Sequence, residues 1–93
     1  VAIVSFKCTD TEAFYTKGRH KKFTTISTVL ARKLAMLDAA ANLTDLLVPP
    51  GNRLEALQGN RRGQHSVRVN DQFRLCFVWT EQGPSEVECV DYH

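Results

Sequence analysis

Between Ile26 and Leu37, the apolar residues Ile26, Val29, Leu30, Leu34 and Leu37 recur at spacings of three and four. That spacing lays them along one stripe of an α-helix. Ala35, Met36, Ala39, Ala40 and Ala41 favour helix and close packing, while Arg32, Lys33 and Asp38 fall mostly off the stripe. The pattern predicts a helix over about residues 25–41, with Thr24 or Thr25 as its N-cap. Residues 42–47 allow one more turn before Pro49-Pro50-Gly51 ends any helix and redirects the chain.

Beyond Asn52 the period falls to two. Residues 53–57 suit a strand, and Gly59-Asn60-Arg61-Arg62-Gly63 is a polar turn bounded by glycines. His65-Ser66-Val67-Arg68-Val69 alternates as a half-buried strand does, and Asn70-Asp71 marks a turn. Phe73, Leu75, Phe77 and Trp79 then share one face of a strand, with Arg74, Cys76 and Val78 on the other. Gly83-Pro84 reads as the next turn and residues 87–92 as the last strand. Upstream, residues 2–6 are a short apolar run suited to an opening strand. Asp10 is placed to cap a short helix through Tyr15 that Gly18 ends, and Arg19-His20-Lys21-Lys22 forms a basic loop. Two helices followed by a meander of strands predict an α+β fold, with the helices packed on one side of a curved, mainly antiparallel sheet. The 93 residues suit a single domain over 1–93.

Composition narrows the setting. No run approaches the roughly 20 apolar residues of a membrane span, and no stretch reads as a secretory signal. Cys8, Cys76 and Cys89 are odd in number and form no C-x-x-C pair. They read as reduced, mostly buried thiols of a soluble cytoplasmic protein. Charge is divided along the chain. All twelve Lys and Arg lie between Lys7 and Arg74 against six acidic residues, giving about +6; four acidic residues and no basic one follow, giving about −4. A positive body suits a polyanion such as RNA; a solvated surface with evenly spread charge accounts for the count equally well.

Phosphate-binding loops, dinucleotide fingerprints, nucleophile elbows and zinc-protease helices are all missing from the sequence. His20, His65 and His93 lack metal-ligand spacing, so neither a metal nor a cofactor is expected. What remains is a set of basic and hydrogen-bonding groups. Arg74 interrupts an aromatic strand. A guanidinium there suits the charge that builds during RNA cleavage, since it donates in a planar fork and stays protonated; an ion pair with Glu88 or Glu86 across the sheet is the alternative. At the C-terminus, the His93 imidazole suits acid–base work and Tyr92 suits stacking on a base; a frayed tail without a role is the other reading. Glu55 is a candidate general base for a 2′-hydroxyl, or else the ion-pair partner of Arg53, Arg68 or Arg74. Lys21, Lys22, Arg61 and Arg62 are candidate phosphate contacts, or solvated surface charge.

These segments together resemble a known family. Pro49-Pro50-Gly51-Asn52-Arg53-Leu54-Glu55-Ala56-Leu57 resembles the PPGNRLEAL run of HigB-type toxins of the RelE superfamily. Gly59-Asn60-Arg61-Arg62-Gly63-Gln64-His65-Ser66, then Val69-Asn70-Asp71-Gln72-Phe73-Arg74-Leu75-Cys76-Phe77, and finally Val90-Asp91-Tyr92-His93 resemble the same family's later motifs. The opening Ser5-Phe6-Lys7-Cys8 and the helix around Arg32-Lys33-Leu34 are similar as well. The resemblance implies a RelE-like fold and a ribosome-dependent endoribonuclease that cuts mRNA in the A site by attack of the ribose 2′-hydroxyl. It also implies a HigA-type helix-turn-helix antitoxin as partner, with operator DNA reached only through that antitoxin. Carried over by position, the site residues are Arg74 and the terminal Asp91, Tyr92 and His93, with Asp91 orienting His93. Arg53, Arg61, Arg62, Arg68, Lys21 and Lys22 would dock RNA. Glu55 stands where one branch of the family has histidine, and Gln58 where lysine is frequent. A non-catalytic module that binds RNA or the ribosome and blocks translation is the competing expectation, and a purely structural partner in an operon-regulating complex is a further one.

Overall fold

A computed structural model describes residues 2–91, with Val1, Tyr92 and His93 outside the described residues. Helices α1 (Thr9–Lys17) and α2 (Ser27–Ala39) come first. Strands β1 (Glu55–Ala56), β2 (His65–Arg68), β3 (Phe73–Thr80) and β4 (Gly83–Asp91) follow. They form one antiparallel sheet in the order β1-β2-β3-β4, which is the α+β meander that the change of period predicts.

The helical stripe is buried against this sheet. Ile26, Leu30, Leu34 and Leu37 meet Val67, Val69, Phe73, Leu75 and Phe77, with Val87 and Cys89 from β4. Full burial of one such aliphatic or aromatic side chain stabilises by about 1.5–3 kcal/mol, so this interface dominates the fold. Three rings tie its layers together: Phe14 of α1 meets Phe23 edge-on at 6.0 Å, and Phe23 meets Phe73 of β3 at 6.3 Å. Buried Thr11 fastens α1 to the sheet, its Oγ1 accepting from the Cys89 amide at 3.0 Å.

Several local expectations are corrected. Helix α2 starts at Ser27, because residues 21–26 wind as 3-10 turns kinked at Phe23 (φ −113°, ψ 19°), whose ring points into the core. Neither threonine caps α2; Thr24 Oγ1 donates back to the Lys21 carbonyl. Asp10 lies inside the first turn of α1, which begins at Thr9 without a side-chain cap. Its carboxylate instead draws in His20 Nε2 at 3.3 Å and Lys22 Nζ at 3.5 Å. The basic run is therefore no free loop: His20 Nδ1 accepts from the Lys22 amide and starts the 3-10 turns.

Residues 2–6 form no strand of their own. They follow β4 through a single parallel bridge, Phe6 to Val87, where Val87 exchanges bonds with Ser5 and Lys7. Strand β4 carries an additional residue there, since Cys76 faces Glu88 but Val78 faces Ser85, and Glu86 sits at φ 50°. Such a bulge bends the strand, so the opening segment tracks its edge only briefly. Strand β1 is shorter than expected because Arg53 adopts a left-handed conformation (φ 46°, ψ 56°) at its entrance. Gly83 and Pro84 belong to β4; the turn before it is Glu81-Gln82.

Candidate functional site

Alternation along the strands puts Ser66, Arg74, Cys76, Glu88 and Val90 on the sheet face turned away from the helices. Cross-strand pairing aligns Glu55, Ser66, Cys76 and Glu88 in one row over all four strands. Arg68, Arg74 and Val90 form the next row.

Arg74 is the centre of this face. Its side chain is only 11% exposed, and a charge so placed needs partners. Nε donates to Ser66 Oγ at 2.8 Å, and Nη2 donates to the Arg53 carbonyl at 2.7 Å. Glu55 Oε1 lies 3.7 Å from Nη2. The Arg53 carbonyl owes its position to the preceding residue. Asn52 is fully buried, and its Nδ2 donates to the Leu46 and Val48 carbonyls at 3.1 and 3.4 Å while its Oδ1 accepts from Lys33 Nζ. Burial, then the positive charges of Arg32 and Arg68, lower the pKa of Lys33.

At the β4 end of the first row, Glu88 is 14% exposed and faces two cations, Arg61 Nη1 at 3.3 Å and Lys7 Nζ at 3.6 Å. Gln64 Oε1 steadies the same Arg61 nitrogen at 3.1 Å. Between the two charged groups lies Cys76, with no exposed surface. Burial raises its thiol pKa, against the opposing pull of Arg61, Arg74 and Lys7, so it is a neutral floor beneath a charged layer.

The expected site residues are thus partly assembled. Glu55 and Arg74 are paired, which selects Glu55 over Glu86 and Glu88 as the partner of Arg74. Arg61 and Arg68 share this face, Arg68 being paired with Asp71. Arg53 and Arg62 are exposed in the flanking loops. Asp91 pairs with Phe73 at the end of β4, so alternation gives it the parity of Cys89 rather than that of Arg74; its Oδ2 accepts from Gln72 Nε2 at 2.9 Å. Tyr92 and His93 lie outside the described residues. Lys21 and Lys22 stand on the helical side, away from Arg74. There Lys21 lines a cleft of about 670 Å³ with Lys17, Arg19 and His20. Ser66, Asn52 and Lys7 do not stand out in the sequence, although the polar parity of Ser66 on β2 is a signal present in it, and Glu88, expected as a partner of Arg74, pairs with Lys7 and Arg61 instead.

The HigB-like toxin family model, described as the RelE-like toxin of type II toxin-antitoxin systems, matches residues 4–93. The chain belongs to the HigB-like toxin family. It is 44% identical over 80 residues to Toxin HigB-1 of Vibrio cholerae serotype O1, covering 84% of each chain. It is also 44% identical over 68 residues to an uncharacterized protein of Haemophilus influenzae, covering 71% of this chain and 67% of that one. Among solved structures, a chain of the YoeB-YefM complex from Staphylococcus aureus superposes with a TM-score of 0.62 at 20% identity, over 100% of this chain and 97% of the other. That likeness shows a shared RelE-like α+β fold. The chain is therefore a toxin of a type II toxin-antitoxin system, and an antitoxin is its partner. Among the described residues, no helix is long and apolar enough to cross a membrane.

Proposed function

We propose that the toxin is a ribosome-dependent mRNA endoribonuclease that acts in the cytoplasm and cuts within the ribosomal A site. The observation that carries this reading is the guanidinium of Arg74, fixed by Ser66 and the Arg53 carbonyl beside the exposed carboxylate of Glu55. A preorganised cation stabilises the charge that develops on the scissile phosphate without reorganising at the moment of reaction. Glu55 takes the proton of the attacking 2′-hydroxyl. His93, oriented by Asp91, returns a proton to the leaving 5′-oxygen, and Tyr92 stacks on or positions the nucleotide. Arg53, Arg61, Arg62 and Arg68 hold the message, while Lys21 and Lys22 contact ribosomal RNA from the helical side. Placement on the ribosome supplies much of the rate by fixing the reacting groups. A HigA-type helix-turn-helix antitoxin holds the toxin inactive and carries it to operator DNA.

The test is primer extension on a defined message, with and without purified ribosomes. New 5′ ends only when ribosomes are present support the reading. Ends in both tubes mean a free ribonuclease. Arrested translation of an intact message means a blocking module.

A further inference from the structure

The ion-paired group of Lys7, Glu88 and Arg61 is not needed to hold Arg74, which has its own partners on β1 and β2. It nevertheless sits on the same face. Glu88 brings Lys7 and Arg61 to the part of the sheet where Cys76 lies, and the Cys76 thiol also feels the charge of Arg74. Arg74 is two residues along β3 from Cys76, and Glu88 lies directly opposite Cys76 on β4. Standard strand spacings then put the Arg74 and Glu88 backbones about 8 Å apart.

We infer that Lys7 and Arg61, set in place by Glu88, form a second phosphate subsite that grips the RNA backbone beside the phosphate held at Arg74. This rests on the proposed reading of the face as one that binds RNA. Three features support it. One carboxylate faces two cations, so the group keeps a net positive charge that an incoming phosphate can share. The lysine is half exposed and the arginine a third exposed, whereas Glu88 is mostly covered, so the cations meet the ligand first. The neutral Cys76 floor puts no thiolate between the two phosphate positions. Glu88 is a positioning residue in this scheme: it fixes a long, rotatable lysine and an arginine, reducing the freedom that binding has to remove.

The test measures binding without cleavage, using a labelled single-stranded oligonucleotide with 2′-deoxy sugars and fluorescence anisotropy across a salt series. Lys7→Ala and Arg61→Ala should each weaken binding and make the slope of log affinity against log salt shallower by about 0.7. Glu88→Gln separates positioning from bulk charge. Removing a negative charge from a basic face should tighten binding if only net charge matters, yet it should weaken binding by about three-fold or more if Glu88 orders the two cations. Tighter binding by Glu88→Gln overturns the positioning role. No change with Lys7→Ala, whose side chain is half exposed, overturns the subsite, as does absence of oligonucleotide binding by the wild type. If these binding effects appear but primer extension shows no cleavage, the subsite stands and the endonuclease reading falls.

Discussion

Arg74 donates through Nε to Ser66 Oγ at 2.8 Å, from β3 to the neighbouring strand β2, and both residues are buried. The serine is thus a fixed acceptor that sets the plane of the guanidinium. Ser66→Ala removes it and leaves a buried N–H without that partner, at a cost of about 1–3 kcal/mol. The same change should lower cleavage through kcat more than through KM, because it loosens the group that meets transition-state charge. Arg74→Lys keeps the charge but loses the fork, and should reduce kcat by about a hundred-fold. Thermal unfolding and single-turnover cleavage on programmed ribosomes measure the two effects separately. Undiminished kcat in the Arg74→Lys variant would remove Arg74 from the chemistry.

Glu55 Oε1 stands 3.7 Å from Arg74 and is 56% exposed, so it can meet a substrate as well as pair with the arginine. Glu55→Gln preserves shape and hydrogen bonding but cannot take a proton. If Glu55 is the base, cleavage should fall by about 10²-fold or more, and the limb of the pH–rate profile that reports the base should flatten. Glu55→Ala in an ion-pairing role alone would change the rate little and leave the profile's shape intact, since exposed pairs contribute only about 0–1 kcal/mol.

Much of the frame is legible in the sequence because it depends on period alone. The three-and-four spacing of Leu30, Leu34 and Leu37 and the alternation of Phe73, Leu75 and Phe77 each specify a buried face. The neighbours of Arg74 are less legible, because alternation fixes a residue's side but not its register with other strands. Glu88 and Glu86 lie in β4, the strand that pairs with β3, yet the pairing puts Val90 opposite Arg74 and brings Glu55 in from β1. The bulge at Glu86 shifts the register by one residue, and no turn signal marks it. Lys7 is missed for a related reason: its role depends on where the opening segment crosses β4, which is set by Val87. Asp10 reads locally as a cap but answers to His20 and Lys22, which the helix turn brings back to it.

Asn52 links the loop after α2 to the face that carries Arg74. Its buried amide serves the Leu46 and Val48 carbonyls, and its oxygen takes Lys33, while the next carbonyl along holds Arg74. Asn52→Ala leaves those carbonyls and a partly buried ammonium without these partners and should destabilise the protein by about 2–3 kcal/mol. Because the Arg53 carbonyl is then free to shift, cleavage by the folded fraction should also fall. Urea unfolding followed by cleavage at a temperature well below the midpoint distinguishes the two. A loss of stability with full activity would detach Asn52 from the site.

The buried thiols predict an alkaline limit to stability. Burial, reinforced by neighbouring Cys76 and Cys8, pushes Cys89 from 9.0 up to about 12, and burial raises Cys76 as well. A folded-state pKa above the unfolded one means that the folded protein retains a proton which the unfolded chain gives up. The stabilisation is therefore complete below the unfolded thiol value and is lost as pH rises from about 9 towards about 12. Urea midpoints should be level between about pH 7 and 8 and should then fall at about pH 10. In the double variant Cys76→Ala, Cys89→Ala the starting stability is lower, because two buried side chains are truncated, but its alkaline decline should be shallower. An equal decline in both proteins would assign the alkaline loss to other groups, and thiols that react rapidly with an alkylating reagent in the native state would show that the folded protein does not hold them protonated and covered.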